Sequence, residues 1–115
     1  MKFKNQVILK PGIWNNFYYS EEALEKMKIS EPVIVTDSFK SGVQDILGLA
    51  TNFRWKNKEW LADIEIFKQI PEAILKRLEI APRIKGRIKK KNMEDIELDE
   101  IALVRKSTIP GNEMR

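Results

Sequence analysis

The stretch from Leu78 to Val104 constrains the fold most, because its two halves mirror each other about Asn92. If the chain reverses there, apolar residues and opposite charges face each other in the pairs Ile88–Ile96, Lys89–Asp95, Arg87–Glu97, Lys85–Asp99 and Gly86–Leu98. Such alternation is typical of antiparallel strands with one solvated and one buried face. Asn92 tolerates the left-handed conformation that a three-residue hairpin loop needs. We therefore expect a long β-hairpin with one core-facing side.

The same hairpin carries the densest group of charges in the chain. Its first strand contains the cations Arg83, Lys85, Arg87, Lys89, Lys90 and Lys91, and its second the acids Glu94, Asp95, Glu97, Asp99 and Glu100. Six positive against five negative charges leave a net charge of +1. Phosphate affinity comes from cations that are not neutralised, so the pattern favours cross-strand pairing on a solvated face. A phosphate-binding surface is the alternative interpretation.

Composition limits the chemistry that is available. The 115 residues suit one globular domain, with 43% hydrophobic and 33% charged residues. There is no Cys and no His, so thiolate chemistry, the usual neutral-pH base and the commonest metal ligand are missing, and we expect no metal and no cofactor. No apolar run approaches the roughly 18 residues of a membrane span, which predicts a cytoplasmic protein with no membrane partner. Abundant Lys, Glu and Ile are typical of thermophile proteins, and the net charge of +4 permits nucleic-acid contact without arguing for it.

Periodicity and turn residues predict the remaining elements. The alternating pattern of residues 3–9 predicts a strand, and residues 13–19 an ordered loop or short strand pair. Ser20 is a good N-cap for a helix over residues 21–28. Residues 33–35 are typical of a short central strand. The other predicted features are a hairpin over 46–66 that turns at Asn57-Lys58 and places Trp55 opposite Trp60, a bulge or close approach at Gly48, and a helix from Pro71 with Ala73, Ile74 and Leu78 as its inner face.

Together these elements predict an α+β fold dominated by strands. We expect a mostly antiparallel, barrel-like sheet of about six strands with two short helices. Residues 1–106 would form the single globular domain and residues 107–115 a C-terminal tail.

Two local features could carry function. The aromatic residues Trp14, Tyr18 and Tyr19 could stack on bases, although such a cluster is more often a lid over the core. Ser38, with Lys40 two residues later, could act as a lysine-activated nucleophile, although a polar turn after a strand is the more common origin of this pattern.

The order of segments resembles the prohead maturation proteases, the capsid-assembly proteases of tailed phages and related archaeal proviruses, distantly akin to herpesvirus assemblin. The likeness is collinear over most of the chain, and each matching motif is short. It is carried by residues 9–15, 19–25, 32–38, 43–48, 78–83 and 97–104, among them Lys10-Pro11-Gly12-Ile13-Trp14, Tyr19-Ser20-Glu21-Glu22-Ala23-Leu24 and Glu97-Leu98-Asp99-Glu100-Ile101-Ala102-Leu103-Val104.

The resemblance implies a catalytic His at the position of Ser38 and a nucleophilic Ser at the position of Ala81, on adjacent strands. Neither residue type is present at its position. The resemblance therefore implies the protease fold without its chemistry, acting in the cytoplasm or virion as a binding or assembly module with a protein partner or with itself. One alternative is a small basic nucleic-acid-binding protein that uses the six hairpin cations and the three aromatic residues. The other alternative is a residual serine hydrolase.

Overall fold

Nine β-strands and two short α-helices make up residues 1–37 and 45–105, the part of the chain that the computed structural model describes. Strands dominate, as the sequence predicts, because β-branched and aromatic residues alternate with polar ones over most of the chain. In chain order the elements are β1 (Lys2–Leu9), β2 (Gly12–Trp14), β3 (Phe17–Tyr19), α1 (Glu21–Glu25), β4 (Lys28–Ile29), β5 (Val33–Asp37), β6 (Ile46–Lys56), β7 (Glu59–Ile66), α2 (Glu72–Leu75), β8 (Glu79–Lys89) and β9 (Asn92–Val104).

The long strand β9 organises the sheet. Its partner on one side is β8, which runs antiparallel to it over its whole length. On the other side β3, β4 and β5 follow one another along β9, and all three run parallel to it. Beyond β5 the sheet continues through β6 and β7 to β1, and it curls into an open half-barrel around the core.

The predicted sheet of about six mostly antiparallel strands is wrong in both number and direction, since the sheet is mixed and has nine strands. The difference arises from the three parallel pairings with β9, which join segments more than 60 residues apart and leave no trace in local periodicity. The strand-dominated class and the two short helices are confirmed. The whole predicted C-terminal tail, residues 107–115, lies outside the described residues, as do residue 106 and residues 38–44.

The hairpin β8–β9 forms, but its predicted turn and register are wrong. The turn has two residues, Lys90 and Lys91, both with positive φ, and Lys89 faces Asn92. Register shifts at Arg83/Ile84 and Lys85/Arg87 then change the pairing towards the base, where Glu79 faces Val104. Of the predicted pairs, Lys85–Asp99 survives as a diagonal ion pair (Nζ to Oδ2, 3.5 Å), whereas the pairs Ile88–Ile96, Lys89–Asp95, Arg87–Glu97 and Gly86–Leu98 do not form in the ladder.

The hairpin β6–β7 matches its prediction near the turn and departs from it further along. Trp55 faces Trp60, and their rings pack edge to face with centroids 5.7 Å apart. A bulge between Thr51 and Arg54 then shifts the register by one residue, so that Thr51 faces Asp63. The pairs that the turn would set without a bulge, Leu49–Ile66, Ala50–Glu65, Thr51–Ile64 and Phe53–Ala62, do not form in the ladder.

Both helices are shorter than predicted. Ser20 caps α1 as expected, and its Oγ accepts a hydrogen bond from the Ala23 backbone N–H at 3.1 Å. Helix α1 ends at Glu25, because the following residues join the sheet as β4. Helix α2 is a single turn that buries Leu75, and the predicted inner residues Ala73 and Ile74 are exposed.

The core lies inside the curl of the sheet and is closed by α1 and the β2–β3 hairpin. Tyr19 is buried and Trp14 packs against the core, as expected of an aromatic lid. The largest fully buried side chains include Ile8, Leu9, Leu24, Ile64, Leu75, Ile80, Ile96, Ile101 and Leu103. Within residues 1–37 and 45–105, no helix is long and apolar enough to cross a membrane.

Candidate functional site

Ala81, the position at which the resemblance implies a nucleophile, lies on β8 near the base of the β8–β9 hairpin. It faces Ala102 on β9, and Ala102 faces Thr36 on β5. All three residues are buried. Strands β5 and β8 therefore flank β9 on opposite sides. The row of residues that crosses the three strands provides the methyl groups of Ala81 and Ala102 and the hydroxyl group of Thr36. Ser38 and Lys40 lie outside the described residues, and so does the predicted contact between Ser38 and Ala81.

Within residues 1–37 and 45–105, Thr36 provides the one hydroxyl group of this row, and Ala81 and Ala102 provide methyl groups. A methyl group cannot act as a nucleophile, and the sequence contains neither His nor Cys. Among the residues that the structure describes, no group of three or more acidic residues is placed to hold a metal ion.

A cleft lies beside α1 on the described surface. Strand β3 meets β9 at Asn92 and β4 meets it at Glu97, and between these points the chain leaves the sheet to form α1. The edge of β9 from Met93 to Ile96 therefore has no strand partner on this side among the described residues. A cavity of about 370 Å³ lies against that edge, with Ser20 and Ala23 of α1 forming its opposite wall.

The cleft has an apolar floor and a mixed charged rim. Met93 and Ile96 are both buried. At the rim Lys26 pairs with Glu22 at 3.2 Å. Within the described part of the chain, the half-buried Glu94 makes no ion pair, so one carboxylate remains available to a ligand.

The six hairpin cations separate into two groups. The three nearer the base form ion pairs: Arg83 with Glu100 at 3.1 Å, Lys85 with Asp99 at 3.5 Å and Arg87 with Asp95 at 2.6 Å. Lys89, Lys90 and Lys91 lie at the distal end, and they are exposed and make no ion pair with any described residue. The predicted charge compensation therefore holds for the base of the hairpin and not for its tip.

The three predicted aromatic residues occupy different environments. Tyr19 is buried, and this burial raises the pKa of its hydroxyl group. Trp14 is half-buried, and its Nε1–H donates to the Lys10 carbonyl at 3.0 Å. Tyr18 is 47% exposed and adjoins the distal lysines, since its backbone N–H donates to the Lys91 carbonyl at 2.7 Å.

Sequence analysis missed the cleft entirely. The cleft exists because Lys28-Ile29 rejoins the sheet as β4, and the predicted helix extended through residue 28. A two-residue strand is too short to show periodicity. The one sequence signal that the helix ends early is Pro32, because a proline limits how far a helix can continue.

Comparisons of the chain with protein-family models, with curated proteins and with solved structures found no match.

Proposed function

We propose that the chain is a non-catalytic relative of the prohead maturation proteases, and that it binds an extended segment of a protein partner in the cleft between α1 and β9. The observation that carries this proposal is the edge of β9 from Met93 to Ile96, which lacks a strand partner among the described residues and lies beside a cavity of about 370 Å³. An extended peptide can join such an edge through main-chain hydrogen bonds on either side of the bulge at Asp95, whose φ is 50°, while flanking pockets select its side chains.

The lining of the cleft favours a peptide over a phosphorylated ligand. The floor formed by Met93 and Ile96 can accept an apolar side chain. Glu94 and Lys28 both line the cavity without an ion pair to any described residue, so the wall offers one charge of each sign and no excess of cations for a phosphate. A short segment with alternating apolar and polar residues therefore suits the cleft, because successive side chains of a strand point to opposite sides.

Binding without cleavage follows from the residues at the implied catalytic positions. The loss of one member of a catalytic triad lowers the rate by about 10⁴–10⁶, and both implied members are replaced here. Ala81 is buried beside β9 and the sequence contains no His, so we expect a bound segment to dissociate without being cleaved.

The cleft is tested with phage-displayed random decapeptides selected on the wild-type chain and on two variants in which an alanine is replaced by phenylalanine. Ala23→Phe places a ring in the cleft, and Ala73→Phe makes the same change on the exposed side of α2. We expect the wild type and Ala73→Phe to enrich the same extended sequences and Ala23→Phe to lose them. Equal enrichment on Ala23→Phe, with its fold intact by circular dichroism, would contradict the proposal.

Catalysis is tested on the selected peptides and with a fluorophosphonate probe. Mass spectrometry is expected to show each peptide intact after incubation with the wild-type chain. Labelling of the wild type that disappears in Ser38→Ala would instead support the residual serine hydrolase, with Lys40 as its activating base.

A further inference from the structure

The distal end of the hairpin β8–β9 presents three lysines that make no ion pair with any described residue. Lys89 faces Asn92 and Ile88 faces Met93, so the strand opposite provides an amide and a thioether there instead of carboxylates. The carboxylates of β9 begin at Glu94, and three of them, Asp95, Asp99 and Glu100, pair with cations nearer the base. The tip therefore has a local positive charge in a chain of only moderate net charge.

An exposed aromatic ring lies beside these lysines. Ile13, Tyr18, Asn92 and Lys89 are aligned across the four strands β2, β3, β9 and β8, and directly paired residues project from the same face of a sheet. Of these, Ile13 is 69% exposed and Tyr18 47% exposed. An aromatic platform next to unpaired cations is the arrangement by which proteins hold single-stranded nucleic acid, with bases stacked on the ring and phosphates near the cations.

The backbone of the tip provides a second, independent observation. Each of the three two-residue hairpin turns has both residues at positive φ, a conformation that favours Asn and Gly. The turn β2–β3 uses Asn15-Asn16 and the turn β6–β7 uses Asn57-Lys58, whereas β8–β9 uses Lys90 and Lys91 with φ of 49° and 68°. Lysine gains nothing locally from this conformation, which costs an ordinary side chain free energy. Lys58 occupies the second position of the β6–β7 turn, so the tip differs from both other turns at the first position, where Lys90 stands in place of Asn.

We propose that the joined ends of the hairpins β2–β3 and β8–β9 bind single-stranded nucleic acid, with Lys89, Lys90 and Lys91 contacting phosphates and Tyr18 stacking on a base. This surface adjoins the α1–β9 cleft at Asn92, which also lines the cavity, and it does not depend on the function proposed for the cleft. Of the six hairpin cations, the proposal uses the distal three. The other three, Arg83, Lys85 and Arg87, form ion pairs with Glu100, Asp99 and Asp95.

The surface is tested by fluorescence anisotropy with fluorescein-labelled 15-nucleotide oligothymidylate at several salt concentrations. Three phosphate contacts predict a slope of about −2 for the logarithm of affinity against the logarithm of salt concentration. The variant Lys89→Ala/Lys90→Ala/Lys91→Ala is expected to lose binding. The matched control Lys4→Ala/Lys56→Ala/Arg77→Ala removes the same charge from exposed positions elsewhere and is expected to retain it. Equal losses in the two variants, or no loss in the first, would overturn the proposal.

Three further variants separate stacking and turn strain from general charge. Tyr18→Phe is expected to bind like the wild type, and Tyr18→Ser to bind about tenfold more weakly, because only the former keeps the ring. The double variant Lys90→Asn/Lys91→Gly is expected to raise the urea midpoint of unfolding while weakening oligonucleotide binding. Equal competition by poly-glutamate, or equal binding to vesicles of phosphatidylserine, would show an unspecific anion surface and overturn the assignment to nucleic acid.

Discussion

Two glycines of the sheet, Gly48 and Gly86, differ in the atoms that a Cβ would contact at each position. A Cβ at Gly48 would lie 1.8 Å from the carbonyl oxygen of Glu65, which is fixed in the ladder between β6 and β7. A Cβ at Gly86 would lie 2.8 Å from the terminal methyl of Met93, a flexible side chain, and 3.0 Å from the Glu94 carbonyl. The close approach that the sequence predicts at Gly48 is confirmed, and its obstacle is backbone that cannot move aside.

The two glycines therefore form a matched pair for mutagenesis. Gly48→Ala is expected to lower the free energy of unfolding by about 3 kcal/mol, because the new methyl group forces β6 and β7 apart. Gly86→Ala is expected to cost about 1 kcal/mol, because Met93 can change rotamer. Urea denaturation of both variants measures the difference. Similar losses would show that β7 does not approach Gly48 as closely as described.

At the scale of elements, Asp63 joins the bulges of two neighbouring strands. Asn5 of β1 and Asn52 of β6 both have positive φ, where each strand loses register with β7. The Asp63 carboxylate accepts hydrogen bonds from the Asn52 side-chain amide and the Asn5 backbone N–H, each at 3.0 Å. Arg54 completes the group, with Nη2 3.3 Å from the carboxylate and a further hydrogen bond to the Asn5 side chain. One carboxylate thus stabilises both irregularities.

This arrangement predicts a pH dependence of stability. Hydrogen bonds from Asn52 and then Asn5 hold the pKa of Asp63 below its ordinary value, so the charged form is favoured in the folded state. The stabilisation is therefore complete above the unfolded-state pKa of about 4 and is lost as pH falls through the lower folded value. Asp63→Asn is expected to lose about 1–3 kcal/mol at pH 7 and to approach the wild type near pH 2.

Urea denaturation between pH 2 and pH 7 measures this effect, with Asp95→Asn as control. Asp95 forms an exposed ion pair with Arg87 and its loss should cost about 1 kcal/mol or less. A difference between Asp63→Asn and wild type that is constant across this range would show that charge plays no part at this position.

The elements also show where sequence reasoning succeeds. The turn at Asn57-Lys58, the Trp55–Trp60 pair and the Ser20 cap depend on residues close in sequence, and all three are confirmed. Register was predicted wrongly wherever a bulge intervenes, because one extra residue changes every later pair. Alternating charges do not correct this error, since a lysine reaches diagonal neighbours as easily as direct ones. Lys85 contacts Asp99 although Glu97 faces it.

At the scale of the whole molecule, the candidate sites follow from how distant segments meet along β9. The cleft requires β3 and β4 to dock on one edge of β9 while α1 remains outside the sheet, and no local pattern specifies this parallel pairing. The aromatic and basic residues of the tip were both identified from the sequence. Their juxtaposition, and the absence of carboxylates opposite Lys89, depended on the actual register. The candidate residues could therefore be identified from the sequence, but their assembly into sites could not be predicted from it.

Because β9 pairs with β3, β4, β5 and β8, we expect the sheet to unfold as a single cooperative unit, and this can be tested at Ile101. Ile101 is fully buried and lies between Val35 of β5 and Pro82 of β8. Ile101→Ala is expected to lower the free energy of unfolding by about 4 kcal/mol, whereas Ile88→Ala, at a position 57% exposed on the same hairpin, should cost about 0.5 kcal/mol or less.

Native-state hydrogen exchange extends the test to strands that do not pair with β9. If the sheet unfolds as one unit, Ile101→Ala should lower protection in β6 and β7 as much as in β8, because the same global opening exposes them all. Protection that falls in β8 and β9 while β6 and β7 keep theirs would instead divide the half-barrel at the β5–β9 pairing. The tip and the cleft would then belong to a unit that opens independently, and ligands at either site would stabilise that unit alone.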